Sequence, residues 1–342
     1  MRLVLRAVFL VLAMILTATK LDSQPAMLEF NYGYPTVDHV NIYVAQDLGL
    51  FERAGLAPKF FTFASGAPLL AALKSESLDV VTAGLGLAFA IGQGVPLKIL
   101  FWTGNDANGE GLVVDPKSGI KSYRDIARAK KIGAATGTCA QVALYFLAKK
   151  AGTDYAKLDV VNIPAPLLRN ALLSQSVDAG IAWAPYSMDM GTEGYNVVSW
   201  DPDYVPLGGD CPRMTAVRAP FLHDHPEIAS KLVQVDALAS AAVARNPQLA
   251  IDALVKRLGL TPAVAKATFE RIYLRRPTLA QQLDPASPYA MTSASGGLAG
   301  KLFETMQALA DLKVIPAPVP MSTIAQAIDP SALKAFVASA RK

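Results

Sequence analysis

Residues 72–86 read Ala-Leu-Lys-Ser-Glu-Ser-Leu-Asp-Val-Val-Thr-Ala-Gly-Leu-Gly, and residues 171–185 read Ala-Leu-Leu-Ser-Gln-Ser-Val-Asp-Ala-Gly-Ile-Ala-Trp-Ala-Pro. Aligned without a gap, Ala72, Leu73, Ser75, Ser77, Asp79 and Ala83 fall on Ala171, Leu172, Ser174, Ser176, Asp178 and Ala182. Both copies have one grammar: a helix end, a Ser-x-Ser-apolar-Asp turn, a short buried strand (80–83 or 179–182), and a loop at the strand's carboxyl end. A repeated supersecondary unit of this kind implies two α/β lobes. In open α/β sheets ligands sit outside the carboxyl ends of the strands, so Gly84-Leu85-Gly86 and Trp183-Ala184-Pro185 are expected to face one cleft.

Working outward, 342 residues allow two lobes of ordinary size. Arg2 and Arg6, an uncharged run over 7–16, and the small residues Thr17, Ala18 and Thr19 have the layout of a secretory signal peptide, taken here as residues 1–24. No cysteine follows the run, which argues against a lipid anchor. The formal net charge is +4; losing Arg2, Arg6, Lys20 and Asp22 with the leader lowers it by two, to +2. That balance, without a basic stripe interleaved with aromatics, excludes a nucleic-acid partner. Cys139 and Cys211 are the two cysteines. They are compatible with one disulfide in an oxidising compartment, and their spacing does not decide between a bridge and two buried thiols. With His39, His223 and His225 scattered, they form no metal pattern, and no cofactor is expected.

Strands are expected over 28–34, 58–63, 80–83, 97–102, 110–115, 131–135, 160–163, 179–182, 197–200 and 214–217, the fifth and last carrying the chain between lobes. The first lobe is placed at 25–114 and 218–342, and the second at 115–217. Ser65-Gly66-Ala67-Pro68 reads as a capped helix start, and Thr136-Gly137-Thr138-Cys139-Ala140 as another. Unpaired N–H groups at such starts favour an anion. From Pro226 onward the pattern is helical (226–244, 247–258, 262–273, 298–312, 330–340), and these helices are expected to wrap the first lobe.

The stretch Ala45-Gln-Asp-Leu-Gly-Leu-Phe-Glu-Arg-Ala-Gly-Leu56, with Phe63-Ala-Ser-Gly-Ala67, Leu78-Asp79, Glu110-Gly-Leu-Val-Val114, Ile132-Gly133, Gly137-Thr138 and Asp178-Ala-Gly-Ile-Ala-Trp-Ala-Pro185, resembles the periplasmic substrate-binding proteins of taurine, alkanesulfonate and nitrate ABC importers. The resemblance implies a type II periplasmic binding fold, two α/β lobes joined by two crossing strands with the C-terminal helices on the first lobe. It implies a monomeric, non-enzymatic clamp that closes on a small anion in the periplasm, meeting the membrane only through an ABC permease and its ATPase. Matched onto this chain, the ligand positions are Ser65, Gly66, Ala67, Leu85, Gly86, Thr138, Cys139, Ala140 and Trp183, with Tyr34 and His39 after the first strand as further candidates. Taurine-binding relatives carry an acidic residue on the returning strand, where Arg213 stands here. Asp210 or Glu110 is then the candidate to replace that carboxylate, and Arg213 to hold a second acid group of the ligand through a bidentate guanidinium. The rival readings are an exported enzyme with Cys139 as nucleophile at a helix start, and a sensor module for a membrane receptor.

Overall fold

The computed structural model describes residues 27–105 and 109–340; the signal-peptide reading of 1–24 lies outside them. The strands are β1 (Leu28–Pro35), β2 (Leu56–Phe63), β3 (Val80–Ala83), β4 (Leu97–Asn105), β5 (Gly111–Val114), β6 (Ile132–Gly133), β7 (Val160–Val161), β8 (Ala179–Ala182), β9 (Asn196–Trp200) and β10 (Pro212–Arg218). They form two five-stranded sheets of matching design, ordered β2-β1-β3-β10-β4 and β7-β6-β8-β5-β9.

In each sheet three strands run parallel and the fourth is antiparallel to both neighbours. β10 lies between β3 and β4, and β5 between β8 and β9. Each sheet is thus completed by a strand that has just crossed from the other. The expected lobe boundaries shift accordingly. By sheet membership the second lobe begins at Gly111 rather than 115, and the first resumes at Pro212 rather than 218, because the crossing strands are themselves members of the sheet they enter.

The doubled segment folds twice into one structure. The helices Gly66–Lys74 and Ala165–Leu173 each end before a residue in the left-handed region, Glu76 (φ 60°) and Gln175 (φ 57°). The serines flanking that residue are hydrogen-bonded to each other, at 3.0 Å for Ser75 and Ser77 and 3.2 Å for Ser174 and Ser176. The aspartate then grips the neighbouring strand. Asp79 Oδ2 accepts from Asn31 N–H at 2.9 Å, and Asp178 Oδ2 from Lys130 and Lys131 N–H at 2.6 and 3.2 Å. The Ser-x-Ser-apolar-Asp motif therefore closes a helix and sets the level at which the buried strand enters its sheet.

β1 alternates as its sequence suggests, with Phe30, Tyr32 and Tyr34 on one face, all buried. Tyr32 packs on Phe60 with ring centroids 5.6 Å apart, and Phe60 on Phe51 at 5.3 Å. Gly33 faces the other way, where a Cβ would lie 2.5 Å from Leu78 Cδ1. The helix Glu227–Arg245 covers the first sheet through Val40–Asp47 and β4. Pro262–Arg271 and Leu298–Asp311 also reach the second lobe, against the helices Tyr186–Thr192 and Cys139–Lys150.

The positive φ of exposed Gln175 costs a side chain about 1–2 kcal/mol and glycine far less. Gln175→Gly is expected to stabilise the fold by about 1 kcal/mol, whereas Asp178→Ala, which strips two charge-assisted hydrogen bonds, is expected to destabilise it by about 2 kcal/mol. Urea unfolding midpoints measure both.

Candidate functional site

Three chain segments converge between the lobes. From the first lobe come extended Ser65 leading into Gly66–Lys74, and the loop Gly84-Leu85 leading into Gly86–Gly92. From the second comes Thr138, which starts the helix Cys139–Lys150; its Oγ1 accepts from Ala140 N–H at 3.2 Å and donates to Ala135 C=O at 2.7 Å. These starts touch. A Cβ on Gly66 would lie 3.2 Å from Gly137 O and 3.4 Å from Thr138 Cγ2, and one on Gly86 3.6 Å from Gly66 Cα. A side chain at 66 would crowd backbone of the opposite lobe, which would have to give by a few tenths of an ångström. The two lobes are closed on each other.

They enclose a cavity of about 40 Å³. Pro35, Val37, Ala83 and Leu85 supply apolar wall, Gly66, Gly84 and Gly86 supply backbone, and Thr138, Cys139, Trp183, Cys211 and Arg213 complete it. Ser65 makes no side-chain cap, so the first N–H groups of its helix are left to solvent or ligand. Trp183 is 7 % exposed, and its indole N–H has no hydrogen-bond partner among the described residues. A buried donor without an acceptor is costly. The ring stands at the cavity wall, beside helix starts from both lobes.

Cys139 and Cys211 form a disulfide, Cα to Cα 5.7 Å, that makes part of the cavity floor. Its sulfurs press on the first lobe: a Cβ on Gly84 would lie 2.9 and 3.1 Å from them, and Leu85 N–H points at Cys139 Sγ at 3.5 Å. The bridge overturns the thiol-enzyme reading, since Cys139 has no thiol to act as nucleophile.

Several candidates stand elsewhere than expected. Arg213 does line the cavity, but it is not open to a second acid group. Its Nη1 and Nη2 meet Asp38 Oδ1 and Oδ2 at 3.1 and 3.2 Å, and Nη1 also donates to the Asp38 carbonyl at 2.9 Å. Both side chains are buried. Asp210 is paired with Lys301. Glu110 is fully buried at the crossing, where its Oε2 accepts from Tyr204 hydroxyl at 3.2 Å and its N–H donates to Asp201 at 2.7 Å. Neither carboxylate lines the cavity, so neither replaces the one that the taurine-type pattern would need. Tyr34 belongs to the aromatic core, its hydroxyl accepting from Gln46 at 3.2 Å. His39 packs edge-on against it at 5.2 Å and lines a second, internal cavity behind Arg213 with Tyr32, Thr82, Thr215 and Asp236. Ser65 and Ala67 flank Gly66 without lining the cavity, and the Ala140 N–H is already taken by Thr138. Asp38 is the residue that sequence reading missed. Its place after the first strand, near the cleft, was a signal, but nothing in spacing links it to Arg213.

Away from the cavity, the lobes meet through side chains of the C-terminal helices. Arg271 lies over the Trp200 ring at 4.0 Å, and Tyr145 hydroxyl donates to Asp311 at 2.6 Å. Among the described residues no group of three or more His, Cys, Asp or Glu is placed to hold a metal ion, and no helix is long and apolar enough to cross a membrane.

Two α/β lobes with exchanged strands, closed over a cavity at the strand ends, define the type II periplasmic binding fold. The chain belongs to the NMT1/THI5 like family, whose model matches residues 36–250. Solved structures share the fold along nearly the whole chain. The alkanesulfonate-binding protein SsuA from Xanthomonas axonopodis pv. citri, bound to MOPS, superposes with a TM-score of 0.70 at 20% identity, covering 90% of this chain and 99% of that one. The periplasmic nitrate-binding protein NrtA from Synechocystis PCC 6803 gives 0.70 at 15% identity, covering 92% and 89%. The desulfurization enzyme DSZB gives 0.65 at 14% identity, covering 92% and 100%. The resemblance read from the residues is thus carried by family and fold alike, and the fold by itself serves both binding proteins and an enzyme.

Two outcomes follow from this geometry. The bridge closes a separation of 72 residues, and replacing both cysteines by alanine is expected to lower the unfolding free energy by about 4 kcal/mol in urea titrations. Burial, reinforced by Arg213, holds the His39 imidazole well below its ordinary 6.5, so it is neutral in the fold. The unfolded chain takes up that proton first. Stability present above pH 6.5 is therefore expected to fall as pH drops below it, by up to about 1.4 kcal/mol per pH unit, and His39→Gln to flatten the profile below pH 6.5.

Proposed function

We propose that this chain is the solute-binding component of an ABC importer: a periplasmic, monomeric clamp that captures a small sulfonate-like organic anion between its lobes and presents the closed form to a permease and its ATPase. The observation that carries this reading is the unpartnered Trp183 indole N–H at the wall of a closed interlobe cavity, beside helix starts from both lobes. Such an arrangement stabilises negative charge through N–H donors and helix dipoles, and the same contacts exist only when the lobes are shut. Ligand binding then shifts the open–closed equilibrium by its differential contacts. The sulfonate- and nitrate-binding proteins that share this fold support the anion class.

A binding role rather than an enzymatic one is supported by the wall itself. The described residues lining the cavity include no histidine, no carboxylate and no free thiol, and the Thr138 hydroxyl is engaged with Ala135. Among those described lining residues, a general acid–base or nucleophilic step finds no group to run on. The periplasmic placement rests on the leader pattern of residues 1–24 and on the relatives' location.

Calorimetric titration with ethanesulfonate, nitrate and acetate, combined with small-angle scattering, tests the reading. A saturable heat with at least one anion and a smaller radius of gyration on binding are expected. No heat with any of them, or binding without compaction, would refute the clamp. Trp183→Phe keeps an aromatic side chain, though a smaller one, and removes the donor; it is expected to weaken anion affinity by roughly 10- to 100-fold, the worth of a hydrogen bond to a charged group.

A further inference from the structure

Arg213 brings a guanidinium to the wall of the cavity, yet it arrives already neutralised. Asp38 meets both of its terminal nitrogens, and the pair is closed off from solvent, with side-chain exposures of 6% and 0%. A bidentate, buried pair of this kind is not opened by a ligand, because parting it leaves a bare charge in a low-dielectric site. The other acidic candidates near the crossings add no charge to the wall: Asp210 is paired with Lys301, and Glu110 stands apart with Tyr204 and Asp201. Arg213 is the one charged side chain among the described residues lining the cavity, and the Asp38 carboxylate offsets its charge.

What remains for a ligand is a set of partial charges: the helix starts at Gly66 and Cys139, and the Trp183 indole N–H. Together these match about one negative charge. The rest of the wall is apolar and the space is small. A second anionic group would sit in the cavity without a counter-charge, and an ammonium group without an acceptor carboxylate.

Building on the binding-protein reading above, we propose that Asp38 is the specificity-determining residue of this cleft: by holding Arg213 neutral it restricts the ligand to monoanions with a small apolar body, against both dianions and zwitterions. Asp38 need not touch the ligand to do this. It removes the cation that a second acid group would otherwise claim.

The test is a ranking among matched compounds by calorimetry: ethanesulfonate, 1,2-ethanedisulfonate and taurine, and in parallel propionate, succinate and β-alanine. The intact chain is expected to bind the monoanion of at least one set at least 100-fold more tightly than its dianion and zwitterion. Equal or tighter binding of a dianion or zwitterion overturns this proposal while leaving the binding-protein reading standing. Absence of binding by every compound overturns this proposal, and absence of binding by nitrate and acetate as well overturns both. In Asp38→Asn, which takes the carboxylate away from Arg213, the ratio of dianion to monoanion affinity is expected to rise at least 100-fold, and an unchanged ratio in folded protein refutes the role of Asp38. If circular dichroism shows that this variant does not fold, Asp38→Asn combined with Arg213→Met removes both charges. The double variant is expected to keep the ranking of the intact chain, and a changed ranking counts against the proposal.

Discussion

Each sheet here is finished by a strand that belongs, in chain order, to the other half of the molecule. β5 enters the second sheet between β8 and β9, and β10 returns to the first between β3 and β4. Because both crossing strands are hydrogen-bonded on both edges, neither lobe is a complete sheet without the other's contribution. The same exchange aligns the carboxyl ends of β3 and β8 toward one space, where the loops after them meet. Cleft, hinge and sheet completion are consequences of one topological fact.

Within that frame, charge is handled by pairing. Asp38 with Arg213, Asp210 with Lys301, and Asp79 with Arg218 at 3.2 Å lie on elements that the topology brings together from far apart in sequence. Apart from the paired Arg213, the described cavity wall is left to backbone, apolar side chains, the Thr138 hydroxyl, an indole and a pair of sulfurs. Backbone donors cannot rotate away or titrate, so a site built from them holds its polarity across pH while the shell of ion pairs fixes its shape.

The fold was legible because its signals are local. Asp79 and Asp178 mark strand entries by a motif a few residues long, and the glycines and small residues at 65–67, 84–86 and 136–140 mark helix starts that the sheets then aim at one point. Gly66, Leu85, Gly86, Thr138, Cys139, Trp183 and Arg213 all line one cavity for that reason. Glu110, Asp210 and the chemistry of Arg213 were misread because their partners lie far away in sequence: Tyr204, Lys301 and Asp38 share no spacing with them, and only the folded topology introduces them. The lobe boundaries slipped for a related reason. A crossing strand looks like any other strand until its neighbours are known.

The Cys139–Cys211 bridge acts on motion as well as on stability. Cys139 opens a helix packed against β8, and Cys211 is the last residue before β10, so the bridge ties a helix start of the second lobe to the end of the second crossing. Held in that way, the helix start cannot move away from the crossing, and the floor beneath Gly84 is fixed covalently. An arriving ligand thus meets a floor that is already formed, and the conformational cost of assembling it falls on folding rather than on binding.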